Sequence, residues 1–172
     1  MSLTQDIAIL QKIPMLSEFT DDQLRLLAFS AESLDYRNGM TLFEEGDRAD
    51  GGLAIASGDV SLQKRGSDGF EEVDLAMTGT LLGETAMLVE TTRPCRAVAV
   101  GGVRVIRIRR ALFKRMIQEY PDLARGLFEA HALRYRATAT ALAPIGERMA
   151  QLEKLSATHK LGGQKLRGTS ES

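Results

Sequence analysis

Tryptophan is absent from this 172-residue chain, and its other aromatics are three Tyr and six Phe, 5% in all. The core must therefore be assembled from Leu, Val, Ile, Ala and Met. A single cysteine, Cys95, excludes an internal disulfide and suits a reducing compartment, so a cytoplasmic location is expected. No apolar run approaches the roughly 18 residues that span a bilayer. The opening MSLTQDIAIL lacks the basic start and long apolar stretch of a secretory signal. Net charge of one sign is missing as well: 22 Lys and Arg face 23 Asp and Glu, a balance of −1. That argues against DNA binding by this chain alone. The only histidines, His131 and His159, give little support to a metal centre or a His-based triad. What remains, 44% apolar and 26% charged residues, fits one soluble globular domain with terminal extensions.

Glycine is the most informative residue present. Eleven of the 16 lie between Gly39 and Gly102, punctuating short apolar-rich runs at the intervals of an all-β sandwich or barrel. The pattern predicts strands at Glu32–Tyr36, Met40–Phe43, Leu53–Ala56, Asp59–Lys64, Glu71–Met77, Cys95–Val100 and Val103–Arg109, with a hairpin at RGSDGF. Alternation breaks at Val105–Ile106, which predicts a bulge or a strand changing faces.

Both flanks read as helical. Thr20 and Gln23 have capping-box spacing ahead of Leu24, Leu26, Leu27 and Phe29. Residues 110–120 put Leu112, Met116 and Ile117 on one helical face, and Pro121 suits the first turn of another helix. That helix carries Leu123, Leu127, Ala130, Leu133, Ala137 and Leu142 at helical spacing, and Pro144 with Gly146 should kink or end it. The chain thus divides into an N-terminal helical segment (1–30), a β-roll (31–109), C-terminal helices (110–157) and a tail expected to be disordered (158–172). The small residues Ala137, Ala139, Ala141 and Ala143 allow close approach by a second copy, so a homodimer is expected; helix propensity alone is the other reading of those alanines.

The stretch LLGETAMLVETTRPCRAVAV, residues 81–100, is the most chemically suggestive. Gly83 permits an unusual dihedral or close backbone approach, and residues 84–88 can make one helical turn whose first N–H groups form an anion site. Arg93 follows nine positions after Glu84 and can bridge a phosphate with parallel hydrogen bonds. An ionised Glu84 suits a ligand that also presents hydroxyls, as a ribose does. A salt bridge between Glu84 and Arg93, with no ligand, is the alternative. Between Glu90 and Glu119 there are eight basic residues and no acidic ones. These form either an electropositive wall or a strand face neutralised by the acidic 44–50 turn. Glu44-Glu45-Gly46-Asp47 lacks calcium-ligand spacing and reads as a solvated turn. Cys95 is expected as a small core residue of a strand.

LFEEGDRADGGLAIASGDVSLQK, GETAML followed by TTRP, and the Tyr-Pro-Asp-Leu helix junction together resemble the cyclic nucleotide-binding domain of bacterial cAMP-receptor-type regulators, kinase regulatory subunits and gated channels. The resemblance runs from about Ile13 to Leu142. It implies a mainly β fold with flanking helices, an antiparallel double-stranded β-helix (a jelly-roll-like β-roll) followed by a long C-terminal helix. It also implies a phosphate-binding cassette at Leu82, Gly83, Glu84, Thr85, Ala86, Arg93, Pro94 and Cys95, with Thr138 reaching the purine. The Glu84–Ala86 amides and Arg93 would meet the cyclic phosphate, and Glu84 the ribose 2′-hydroxyl. Three positions depart from the family. Thr85 replaces an apolar residue. Pro94 stands where a hydroxyl or amide N–H normally reaches the phosphate. Arg96 replaces a small Ser or Thr, adding charge or obstructing the pocket. The implied function is a sensor for cAMP or cGMP, without a prosthetic group, passing its signal through the C-terminal helices. The alternative is a binding-dead roll serving as a dimerising or partner-binding scaffold. About thirty residues after Leu142 are too few for the DNA-binding domain of family regulators. An enzyme is not expected, since no nucleophile–base pair or metal cluster can be assembled.

Overall fold

The computed structural model describes residues 3–127. Helix α1 (Leu3–Leu10), a 3-10 turn (Pro14–Leu16) and α2 (Asp21–Ser30) come first. The capping box is formed: Thr20 N–H donates to Gln23 Oε1 at 2.9 Å, and Gln23 N–H to Thr20 Oγ1 at 3.4 Å. Strands β1 (Glu32–Tyr36), β2 (Thr41–Phe43), β3 (Arg48–Ala49), β4 (Gly51–Gly66), β5 (Gly69–Ala76) and β6 (Leu81–Leu82) follow. Then come α3 (Glu84–Leu88), β7 (Thr91–Thr92), β8 (Arg96–Arg109) and α4 (Arg110–Glu119). All pairings are antiparallel, in the order β1-β8-β4-β5, with β2 on β8, β6 on β4, and β3 with β7 as a separate pair. This is the expected β-roll flanked by helices.

Two pairs of expected strands turn out to be single long strands. Leu53–Ala56 and Asp59–Lys64 join in β4, and Cys95–Val100 and Val103–Arg109 join in β8, with Cys95 left just outside. The glycines read as turns bend these strands without ending them. Gly58 shows why: its φ is 81°, and a Cβ there would lie 2.4 Å from the carbonyl oxygen of Gly102. Strands β3, β6 and β7 escaped the sequence reading, because a two-residue ladder has no periodicity to detect.

The break in alternation at Val105–Ile106 has a different cause from the one expected. Val103 and Val105 face a core inside the roll with Leu53, Ile55 and Val60, whereas Ile106 and Ile108 face a second core with Ala54, Ala56 and the helices. The strand keeps its alternation, and both faces are covered. The register shifts lie between Ile55 and Ser57 and between Ser57 and Asp59 on the partner strand β4.

In α4 the fully buried residues are Phe113 and Met116, while Leu112 and Ile117 pack at the edge of the helical core. Burying a Phe or Met fully contributes about 1.5–3 kcal/mol, so Phe113 is the main anchor that the expected face omitted. Residues 121–127 are helical, as Pro121 signals, and Leu123 and Leu127 are buried in the same core. Leu133, Ala137, Thr138, Leu142, Pro144 and the 158–172 tail lie outside the described residues.

Candidate functional site

The segment from β6 to β8 is pinned at both ends. Leu81 and Leu82 pair with Ala54 and Leu53 on β4, and Thr91 and Thr92 pair with Ala49 and Arg48 on β3. Between them α3 buries Ala86 and Met87, which fixes the turn against the roll. The Arg93 backbone is held from both directions: its N–H donates to the Asp47 carbonyl at 2.8 Å, and its carbonyl accepts from Gly46 N–H at 2.9 Å. The turn read as merely solvated, residues 44–47, thus sets the position of the key arginine.

Gly83 caps α3 with φ 82° and ψ 39°, the left-handed region that glycine alone enters without penalty. The second requirement is space. A Cβ at this position would stand 2.1 Å from Arg93 Nη1. The 83–88 stretch therefore forms the short helical turn predicted for it. One detail differs: the Ala86 N–H is already engaged, donating to the Gly83 carbonyl at 3.0 Å, so it is not an unpaired donor of this turn.

Arg93 is the decisive side chain. It is 7% exposed, its Nη2 donates to the Gly51 carbonyl at 3.0 Å, and its guanidinium carbon lies 4.4 Å from the centre of the Phe43 ring. Nη1 is buried and has no hydrogen-bond partner among the described residues. Glu84 therefore does not close on Nη1, as a ligand-free salt bridge there would require. Desolvation pushes the Arg93 pKa down, with Arg107 adding to the effect, while Asp50 and Asp47 act in the opposite sense. A guanidinium keeps its charge under such conditions. A buried cation with an unsatisfied donor is costly and favours an anion that can complete it.

A cavity of about 430 Å³ opens onto these groups, lined by Phe43, Ala49, Leu62, Leu81, Leu82, Gly83, Glu84, Thr85, Ala86, Thr91, Thr92, Arg93, Pro94 and Cys95. Its size and mixed lining suit a small organic anion with both polar and apolar parts. Eight of the nine site residues expected from sequence line it together; the ninth, Thr138, lies outside the described residues. Phe43 and the Gly51 carbonyl were not anticipated. An aromatic ending a strand just before the EEGD turn was the available signal for Phe43 in a chain with few rings.

Cys95 sits in the bend before β8, half-buried, and not in a strand core as expected. Burial pushes its thiol up, which leaves it a poor nucleophile. Arg96 does not obstruct the cavity. Its Nη2 donates to Thr41 Oγ1 at 3.1 Å, its Nε lies 3.3 Å from Glu44 Oε1, and it stacks on Phe70 at 4.7 Å. The basic run is likewise no open electropositive wall. Arg107 pairs with Asp50 at 2.7 Å, Arg104 with Asp6 at 3.0 Å, Arg110 with Glu90 at 3.6 Å and Arg115 with Glu119 at 2.9 Å, while Arg109 pairs with Glu32. The positive charge aimed at the cavity is local, and it is that of Arg93.

Comparison with known proteins gives a consistent picture. Residues 33–120 match the sequence model described as "Cyclic nucleotide-binding domain". A cyclic nucleotide-binding-like protein from Brucella abortus is similar in structure, with 42% identity, a TM-score of 0.62, and 66% of this chain and 97% of that one covered. The N-terminal domain of a transcriptional regulator from Streptomyces coelicolor is 25% identical with a TM-score of 0.73, over 77% of this chain and 96% of that one. A cAMP-dependent protein kinase regulatory subunit from Aspergillus niger is 30% identical over 118 residues, 69% of this chain. The chain spans 28% of the length of that subunit.

Proposed function

This chain belongs to the cyclic nucleotide-binding domain family, and on that premise we propose that it captures a cyclic nucleotide, cAMP or cGMP, in the cavity beneath α3. The observation that carries this reading is the buried Arg93 guanidinium, whose Nη1 stands unpaired against Gly83 at the cavity wall. In the proposed complex the cyclic phosphate completes Arg93 and meets the first amides of α3, while Glu84 accepts from the ribose 2′-hydroxyl. Leu82, Thr85, Ala86, Pro94 and Cys95 line the pocket, and Thr138, outside the described residues, is proposed to meet the purine. The likeness to a cAMP-dependent kinase regulatory subunit supports a regulatory role over an enzymatic one.

The proposal extends to the cellular setting. Among the described residues no helix is long and apolar enough to cross a membrane, and a single cysteine fits a reducing cytoplasm. The alanine-rich segment 137–143, outside the described residues, is proposed to support a homodimer, which sedimentation at micromolar concentration tests directly.

Calorimetric titration with cAMP and cGMP tests the central reading. Saturable binding by the wild type that is weakened roughly thirtyfold or more in Arg93→Ala is the expected result. Absence of binding to either nucleotide at millimolar concentration would leave the roll as a scaffold.

A further inference from the structure

Phe43 and Arg93 are the two side chains common to the walls of two neighbouring cavities, the larger of about 430 Å³ and a smaller one of about 200 Å³. The smaller cavity also carries Asp47 and Asp50. Both carboxylates attract the guanidinium toward the smaller cavity, while Arg107 on the same wall repels it. Asp50 is already bound to Arg107 at 2.7 Å, which tempers that pull without removing it. The other groups acting against it are the Gly51 carbonyl, 3.0 Å from Nη2, and the face of the Phe43 ring, 4.4 Å from the guanidinium carbon.

We infer that Phe43 is a positioning residue: its ring face is the ledge that keeps the Arg93 guanidinium beside Gly83, where Nη1 is presented to an anion in the larger cavity. The ring supplies what an aliphatic side chain of similar reach cannot, a flat surface with a negative quadrupole facing the cation. The ring itself is placed by β2, whose register against β8 shifts between Thr41 and Phe43. This inference rests on the cyclic nucleotide reading for its functional consequence, but the Phe43–Arg93 coupling can be measured without any ligand.

Two measurements on the full chain test it. In titrations with cAMP, Phe43→Leu should weaken binding about tenfold, and Phe43→Tyr, which keeps a ring face, should recover most of the loss. Phe43→Met stands in should the leucine variant not fold. Wild-type affinity in Phe43→Leu would overturn the inference. In urea unfolding, Phe43→Leu and Arg93→Ala should be non-additive, because each removes the same contact. Additive effects would overturn it as well. If the wild type binds neither cAMP nor cGMP, the proposed function fails, and the unfolding cycle alone decides whether Phe43 holds Arg93.

Discussion

The α-carbon of Gly83 and the guanidinium of Arg93 occupy adjoining space, so close that a Cβ at position 83 would lie 2.1 Å from Nη1. The same glycine has φ 82°, a conformation that costs other residues about 1–2 kcal/mol. Gly83→Ala therefore combines backbone strain with displacement of the arginine. Unfolding should show a loss of at least that size, and cyclic nucleotide titration should show no saturation. An alanine variant that binds like the wild type would mean that Arg93 does not act from the position seen here.

Removing the charge itself separates binding from folding. Arg93→Ala should cost about 2–5 kcal/mol of nucleotide binding, because the phosphate is left in the cavity without its cation. The fold should lose less, since only the Nη2 bond to the Gly51 carbonyl and the contact with the Phe43 ring are given up and a desolvated cation is removed. Glu84→Ala removes an acceptor for a hydroxyl, for which the expected cost is about 1–3 kcal/mol. Calorimetry on both variants, with urea unfolding in parallel, checks the ranking.

The extent to which this architecture was readable from sequence follows from where each signal lives. The cassette turn was legible because glycine chemistry and helix-start rules act within six consecutive residues, Gly83 to Leu88. The capping box of α2 was legible for the same reason. The unity of β4 was not: Gly58 looks like a turn, and only its contact with Gly102, far along the chain, shows that the strand bends and continues. Val105–Ile106 misled because burial on both sides of a sheet erases the alternation that one-sided burial produces. Phe43 offered only its place as an aromatic before the EEGD turn, since its partner Arg93 lies fifty positions away and pairings distant in sequence, β2 with β8 and β3 with β7, bring the two together.

The ion pair of Asp6 and Arg104 ties α1 to β8 at 3.0 Å, with side-chain exposures of 11% and 14%. Arg104 Nη2 also donates to Ser33 Oγ at 2.8 Å, while Asp6 Oδ1 and Arg104 Nη1 are buried without hydrogen-bond partners among the described residues. Breaking one side of such a pair leaves an uncompensated charge, so Arg104→Met should cost about 3 kcal/mol. Replacing both, Asp6→Leu with Arg104→Met, should recover most of that stability. Chemical unfolding of the two single variants and the double variant measures this, and additive losses would contradict it.

Cys95 supplies a pH test. Its thiol is pushed up by burial, with Lys64 acting against the shift and Glu45 reinforcing it. The folded state therefore holds its proton to higher pH than the unfolded chain does. This contribution to stability is fully present below the ordinary thiol value of about 8.5 and is lost as pH rises through the higher folded value. Alkylation by iodoacetamide at pH 8 should be slower than for a free cysteine peptide. A saturating cyclic nucleotide should slow it further, because Cys95 lines the cavity. Alkylation at the peptide rate with and without nucleotide would contradict both statements.

Pro94 is exposed at the mouth of the cavity, directly after the arginine. It has no backbone N–H and no hydroxyl to offer a phosphate oxygen. Pro94→Ser supplies both donors at a point where the chain is already bent, and the preceding Arg93 stays fixed through its bonds to Asp47 and Gly46. One new hydrogen bond to the ligand contributes about 0.5–1.5 kcal/mol net, roughly a two- to twelvefold gain in affinity. The fold should become less stable by about 0.4–1 kcal/mol, since the serine chain has more unfolded conformations to lose. Tighter nucleotide binding together with a slightly lower urea midpoint is thus the expected signature, and calorimetry and unfolding report the two halves independently. Weaker binding in Pro94→Ser would mean that the rigid ring holds the Arg93 geometry more than its missing donor harms it. No binding to cAMP or cGMP at millimolar concentration in either protein would decide for the scaffold over the sensor.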